Sequence, residues 1–261
     1  MHQKAKIALI VSDFPKTSET FIVQKFLGLF KNGWDVHIFC HKSEPHEWKN
    51  FPQLETLPDI QGRVHSSWPL KPRPIAIFFL PLLLLRNFIL NPIRTCRYLV
   101  KGLRFFGLDI FRRFYLDAGL ILFGPDILHF EFGALTVGKT YLKKLLDCKL
   151  IVSFRGYDLN FSGIENPNYY LEVWRTADGI HCLGEDLWTR TQKRGCPSNK
   201  AHALIPPAID AELFNPTRND YPSNVGIVER PLRLLSVGRL EWKKGYEFAL
   251  QAVRILKDCD C

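Results

Sequence analysis

The chain has 261 residues, 46% hydrophobic and 23% charged, a balance that excludes a disordered or fibrous protein and leaves ample chain for a buried core. Lys and Arg outnumber Asp and Glu by 35 to 26, giving a net charge of +9 that favours anionic partners without choosing among phosphates, nucleotides, nucleic acid and anionic membrane. The seven cysteines are scattered, and the one close pair, Cys259 and Cys261, lacks zinc or redox spacing; they read as reduced, structural cysteines of a cytosolic protein.

Residues 7–12 (IALIVS) read as a buried strand running into Asp13-Phe14-Pro15, and are too short for the apolar region of a secretory signal. Thr17 or Ser18 is placed to cap a helix over about residues 19–31, where Phe21, Ile22, Phe26, Leu29 and Phe30 recur at helical spacing and Asn32-Gly33 closes the turn. Residues 35–40 (DVHIFC) alternate as the next strand. Strand, loop, helix and strand in this order open a doubly wound α/β sheet.

Residues 42–74 hold six prolines and predict an irregular connection. The run 75–85 (IAIFFLPLLLL) is 11 residues long and contains Pro81, so it falls short of the about 20 residues a spanning helix needs. The whole stretch 75–123 is apolar and basic, with Arg94, Arg97, Lys101, Arg104, Arg112 and Arg113 set against Asp109 alone between positions 94 and 113. Two readings stand side by side: a pair of core helices with an arginine-solvated outer face, or a surface that lies on an anionic membrane.

The α/β rhythm then returns, with strands over 126–130, 150–154, 179–183 and 202–205 and helices over 138–146 and 185–194. These strands are short and continuously apolar, as parallel strands covered on both faces are. Residues 206–231 are rich in Pro, Asn and charge and read as a linker between a first domain, 1–205, and a second, 232–261. Residues 232–237 (LRLLSV) predict a strand and about 246–257 a helix, a single β-α unit of an incomplete second Rossmann-like domain.

Four segments lie where open α/β sheets do chemistry, in loops after strands. They are Lys16, Thr17, Ser18, Glu19 and Thr20 in DFPKTSET; His129 and Glu131 in HFEFG; Arg155 and Asp158 in RGYD; and Arg239, Lys243 and Lys244 in GRLEWKKG. Basic side chains before a helix attract phosphate, although in a loop they are more often merely solvated. A histidine in an apolar strand is most simply a satisfied core residue, while Glu131, on the same strand face, is a candidate acid/base or hydroxyl-binding group.

Taken together and in order, FPKTSETFI, PDILHFEFG, FRGYDL, IPPAIDAELFNP and VGRLEWKKGYEFALQA resemble the family 4 glycosyltransferases of GT-B fold, closest to bacterial enzymes that build exopolysaccharide or lipid-linked oligosaccharide. The resemblance covers nearly the whole chain outside residues 42–120. It implies two facing Rossmann-like domains, the first holding a glycan or lipid-linked acceptor and the second a nucleotide diphosphate-sugar. It implies that Arg239 and Lys244 bind the donor diphosphate and stabilise the leaving group. By the same resemblance, Lys16, Thr17, Ser18, Glu19, Thr20, His129, Arg155 and Asp158 line the acceptor side of the cleft. Transfer would proceed with retention at the anomeric carbon, without metal or other cofactor, in the cytoplasm or on the inner face of the plasma membrane.

Two departures stand out. Glu131 replaces the second histidine of an HxH pattern found in many relatives, leaving acid/base, hydroxyl-accepting and structural roles open. The family's E-x7-E element has no counterpart in this chain, so the isolated chain is expected to be an inactive fragment of a transferase. The competing reading is a non-catalytic acceptor- or membrane-binding module of the same fold. A nicotinamide-dependent enzyme is disfavoured because the loop after the first strand has no glycine, and no motif supports nucleic-acid binding.

Overall fold

Seven strands pair in parallel in the order β3-β2-β1-β4-β5-β6-β7 in the computed structural model of the chain, which describes residues 5–66, 73–207 and 232–258. The strands are β1 (Lys6–Ile10), β2 (Asp35–Cys40), β3 (Val64–Ser66), β4 (Ile127–Phe130), β5 (Lys149–Phe154), β6 (Gly179–Cys182) and β7 (His202–Leu204). The order reverses between β1 and β4. A crevice opens at such a switch point, outside the carboxyl ends of the strands.

The strands alternate between the two faces of the sheet. One face carries Ala8, Ile10, Leu128, Phe130, Leu150, Val152, Phe154, Ile180 and Cys182. It is covered by α5 (Tyr141–Leu146), α6 (Gly156–Asn160), α7 (Leu171–Thr176) and α8 (Glu185–Lys193), which supply Leu142, Leu159, Val173, Trp174 and Trp188. The other face carries Ile7, Leu9, Val11, Val36 and Ile38 under α1 (Thr20–Lys31), which packs Ile22, Val23, Phe26 and Leu27 onto it. The helix α1 covers β1 and β2, whereas on β5 to β7 this face holds Ile151, Gly179, His181 and Ala203 around a cavity.

The connection between β2 and β4 is more ordered than its prolines predict. Pro45–Trp48, Pro52–Glu55 and Ile60–Arg63 each form one helical turn, the first two opening on a proline whose missing N–H costs nothing at a helix start. Val64–Ser66 adds the edge strand beside β2, which three residues are too few to announce. Three helices follow in place of the expected pair: α2 (Arg73–Leu90), α3 (Pro92–Phe106) and α4 (Ile110–Phe123). Their common core is Leu83, Tyr98, Ile110, Phe114, Tyr115, Ala118 and Ile121. Within it Asp117 accepts hydrogen bonds from the hydroxyls of Tyr98 at 2.7 Å and Tyr141 at 2.8 Å. Burial pushes the Asp117 carboxyl up to about 6.

The chain divides into two units, Met1–Ala211 and Glu212–Cys261. Most of the expected linker, residues 208–231, lies outside the described residues. In the second unit the strand expected over 232–237 does not form; Leu232, Leu234, Leu235 and Val237 are exposed in irregular backbone. A strand needs a hydrogen-bonded neighbour, and the described residues of this unit provide none. The turn Trp242–Lys244 and α9 (Tyr246–Asp258) follow, with Gly245 at φ +64° joining them.

Candidate functional site

The carboxyl ends of β1, β4 and β5 bring three of the sequence-identified segments into one neighbourhood. Glu131 follows β4 and its backbone N–H bonds the Ile10 carbonyl at the end of β1. Its side chain is fully buried, with Lys25 Nζ at 2.5 Å from Oε1 and Arg155 Nη2 at 3.3 Å from Oε2. Burial alone would raise this carboxyl, but His129, a cation only at the low pH where Glu131 titrates, together with Lys25 and Arg155 more than offsets it and holds Glu131 at about 2. The candidate acid/base carboxylate is therefore sealed off, and Glu131 is not among the residues that line the neighbouring cavity.

What reaches the cavity is the pair of cations that Glu131 holds. Lys25 rises from α1, one turn after Phe21, and Arg155 stands at the end of β5 with its guanidinium 3.8 Å from the Phe21 ring centroid. Arg155 Nε also donates to the Glu131 backbone carbonyl at 3.3 Å, so the fork is fixed at two points and stacked on an aromatic face. The cavity has a volume of about 520 Å³; Phe21, Lys25, His129 and Arg155 form its charged end and Ile151, Ile180, Leu183 and Ile205 are among its apolar walls.

A line of hydrogen bonds crosses the sheet beneath it. His129 Nε2 and Ser153 Oγ are 2.8 Å apart, Ser153 Oγ and His181 Nδ1 are 2.8 Å apart, and His181 Nε2 is 2.9 Å from the Ile205 carbonyl. The carbonyl can only accept, so His181 Nε2 carries its proton. His181 Nδ1 then accepts from the Ser153 hydroxyl, and Ser153 Oγ accepts from His129 Nε2–H. His129 Nδ1 is left to accept from Lys25 Nζ at 3.2 Å. One assignment satisfies every member with both imidazoles neutral. Burial pushes His129 down to about 3 and lowers His181, in agreement with that assignment.

Asp158 is buried and does not face the cavity. Its Oδ2 accepts from the Arg155 N–H at 3.0 Å and its Oδ1 from the Ala134 N–H at 2.9 Å, so it caps α6 and ties the loops after β4 and β5 together. In the loop after β1, Lys16 pairs with Glu19 at 3.1 Å and Asp13 at 3.4 Å. Thr17 donates through its N–H and hydroxyl to Glu47, and Ser18 and Glu19 complete the turn Thr17–Glu19 ahead of Thr20, the first residue of α1. Arg239 and Lys244 belong to the second unit, where Arg239 pairs with Glu241 at 3.0 Å and Lys244 closes the turn Trp242–Lys244. Among the described residues no group of three or more His, Cys, Asp or Glu is arranged to hold a metal ion.

Lys25, Ser153 and His181 are the site residues that sequence reading missed. Lys25 is one lysine on an amphipathic helix, and nothing local distinguishes it from a solvated one. The parity of His129, Ser153 and His181, all on the same face of adjacent strands, was the available signal, but it needs the strand register to be read.

No protein-family model matches the chain. Over 269 residues and 97% of its length it is 26% identical to WcaL of Escherichia coli K12, provisionally named a colanic acid biosynthesis glycosyltransferase. Over 258 residues, again 97% of the chain, it is 25% identical to the amylovoran biosynthesis glycosyltransferase AmsK of Erwinia amylovora. The chain spans 61% of the length of each of these relatives. A sucrose-phosphate synthase structure from Thermosynechococcus elongatus overlays on 80% of the chain and 92% of its own at 14% identity, with a TM-score of 0.43, too loose a fit to bear on function. The chain is thus an α/β protein similar, along nearly its whole length, to bacterial glycosyltransferases of exopolysaccharide biosynthesis.

Proposed function

We propose that the protein acts in sugar transfer, from a nucleotide diphosphate-sugar to a glycan or lipid-linked acceptor in exopolysaccharide biosynthesis, and that unit Met1–Ala211 is its acceptor side. The observation that carries this reading is the similarity along 97% of the chain to two glycosyltransferases of that pathway class. The cavity suits the role: an apolar wall for a lipid or sugar-ring face, closed at one end by Lys25 and Arg155, which attract phosphate or sugar oxygens. Glu131 acts as a positioning residue. It fixes both cations without meeting the substrate, so the acid/base role expected from its place in the sequence is not assigned to it. In this reading the second unit supplies Arg239 and Lys244 to the donor diphosphate, where each charge stabilises the leaving group by on the order of 3 kcal/mol. The GT-B architecture, retention at the anomeric carbon and independence from metal belong to the same proposal.

The test is saturation-transfer NMR on the chain with polyprenyl phosphate analogues and short exopolysaccharide fragments. Transfer to one of these classes is expected, reduced at least about tenfold in Arg155→Ala, which removes a charge-assisted contact. Equal signals from wild type and Arg155→Ala, or none from any acceptor class, would overturn the assignment of the acceptor side.

A further inference from the structure

The helix α2 has two apolar faces. One packs Leu83 into the core shared with α4, and Asn87 is buried beside it, its side chain donating to the Leu83 carbonyl at 2.9 Å. The other is a stripe of Phe78, Leu82, Leu85 and Ile89, spaced 4, 3 and 4 residues apart and therefore in line along the helix, and these are 83%, 62%, 58% and 71% exposed. A helix that is apolar all round is buried in protein or in lipid. Among the described residues no helix is long and apolar enough to cross a membrane. A stripe of this kind on a helix already fixed to a protein core can lie only in an interface.

The adjoining α3 is different in kind. Thr95, Tyr98 and Gly102 are its buried face, while Arg97 and Arg104 share its exposed face with Ile93 and Val100. Since α2 and α3 both turn their buried faces into the core built on α4, their exposed stripes lie on the side away from it. The two helices contain six basic residues and no acidic one, and no Asp or Glu occurs between Asp59 and Asp109. Arg97 lies 3.8 Å from the exposed carboxylate of Asp147, a long surface pair, whereas Arg104 makes no ion pair among the described residues.

We propose that α2 and α3 dock the protein on an anionic lipid surface, the α2 stripe entering the acyl boundary and the α3 arginines lying at the headgroup phosphates. The charge selects this occupant. A second copy of the chain would bring the same unbalanced cations face to face, whereas an anionic leaflet neutralises them. The surface is separate from the cavity described above, and the inference does not depend on what that cavity binds.

The experiment is co-sedimentation of the full chain with vesicles of phosphatidylcholine alone, or of phosphatidylcholine and phosphatidylglycerol at about three to one. It is run at low and high salt with wild type, Leu82→Ser/Ile89→Ser and Arg97→Glu/Arg104→Glu, each checked for folding by circular dichroism. Wild type is expected to sediment with anionic vesicles only, less at high salt, and each double variant to bind about tenfold more weakly or worse. Wild type remaining in the supernatant with anionic vesicles at low salt would overturn the proposal, as would double variants that bind as wild type does. A wild-type dimer in sedimentation velocity that Leu82→Ser/Ile89→Ser dissolves would give the stripe to a second copy instead. Should that variant unfold, the arginine variant decides alone.

Discussion

Replacing Glu131 by Gln removes one charge and leaves two behind. In the native chain the buried carboxylate sits between Lys25 at 2.5 Å and Arg155 at 3.3 Å, and its carboxyl is held at about 2. Against an unfolded value of about 4.3, this corresponds to about 3 kcal/mol of stability, the same size as the 3–5 kcal/mol typical of breaking a buried ion pair from one side. Because the folded value is the lower one, this contribution is present above about pH 4.3 and is lost as pH falls through about 2; at pH 3 about half of it remains. Urea unfolding of wild type and Glu131→Gln, followed by tryptophan fluorescence, should therefore give a gap of about 3 kcal/mol at pH 7 that falls to about half at pH 3. Comparing the two proteins at each pH cancels the carboxylates they share. A gap below about 1 kcal/mol at pH 7, or one that does not change between pH 7 and pH 3, would refute the account of Glu131 as the ionised clasp of two cations.

Asp117 has the opposite sign. Its folded value of about 6 lies above the unfolded one, so its stabilising proton uptake is complete below about pH 4 and is lost as pH rises through about 6. Asp117→Asn, still able to accept from Tyr98 and Tyr141, should raise stability by up to about 3 kcal/mol at pH 8, with little of that advantage left at pH 4, as read from thermal melts at the two pH values. Gly133→Ala should destabilise by about 1–3 kcal/mol in urea unfolding. Its Cβ would lie 2.3 Å from Phe154 Cε1, and that fully buried ring is held by Tyr170 and Trp174 and cannot retreat.

The parallel sheet was legible because its strands are short apolar runs bounded by breakers, and Asp35–Cys40 forms where its alternation placed it. What could not be read was decided at a distance. The edge strand Val64–Ser66 exists because β2 offers it a partner. Residues 232–237 have the composition of a strand but no neighbour among the described residues, and are irregular. The segments carrying Glu131 and Arg155 were visible as strand-end loops, but the element that joins them, Lys25, is contributed from a helix more than a hundred residues earlier. The stretch 75–123 was ambiguous for a physical reason as well: a periodic apolar stripe is the same whether it meets core or lipid. The structure shows α2 with one apolar face in the core and a second one exposed.

The sealed carboxylate also fixes how charge is distributed in the cavity. Were Glu131 exposed there, it would cancel one of the two cations at the surface a ligand meets. Buried beneath them, it lowers the cost of keeping Lys25 and Arg155 charged while leaving their outward hydrogens available. His129 and His181 cannot add to that charge at neutral pH, since both rings are neutral and already committed to Lys25, Ser153 and the Ile205 carbonyl. An anionic group held between Lys25 and Arg155 therefore meets the charge of these two cations and not that of the histidines beside them; Asp178 and His202 are also among the residues that line the cavity. Their spacing is set from below by a residue that ligand never touches, so a change at Glu131 should alter binding through the positions of Lys25 and Arg155 rather than through the loss of a contact.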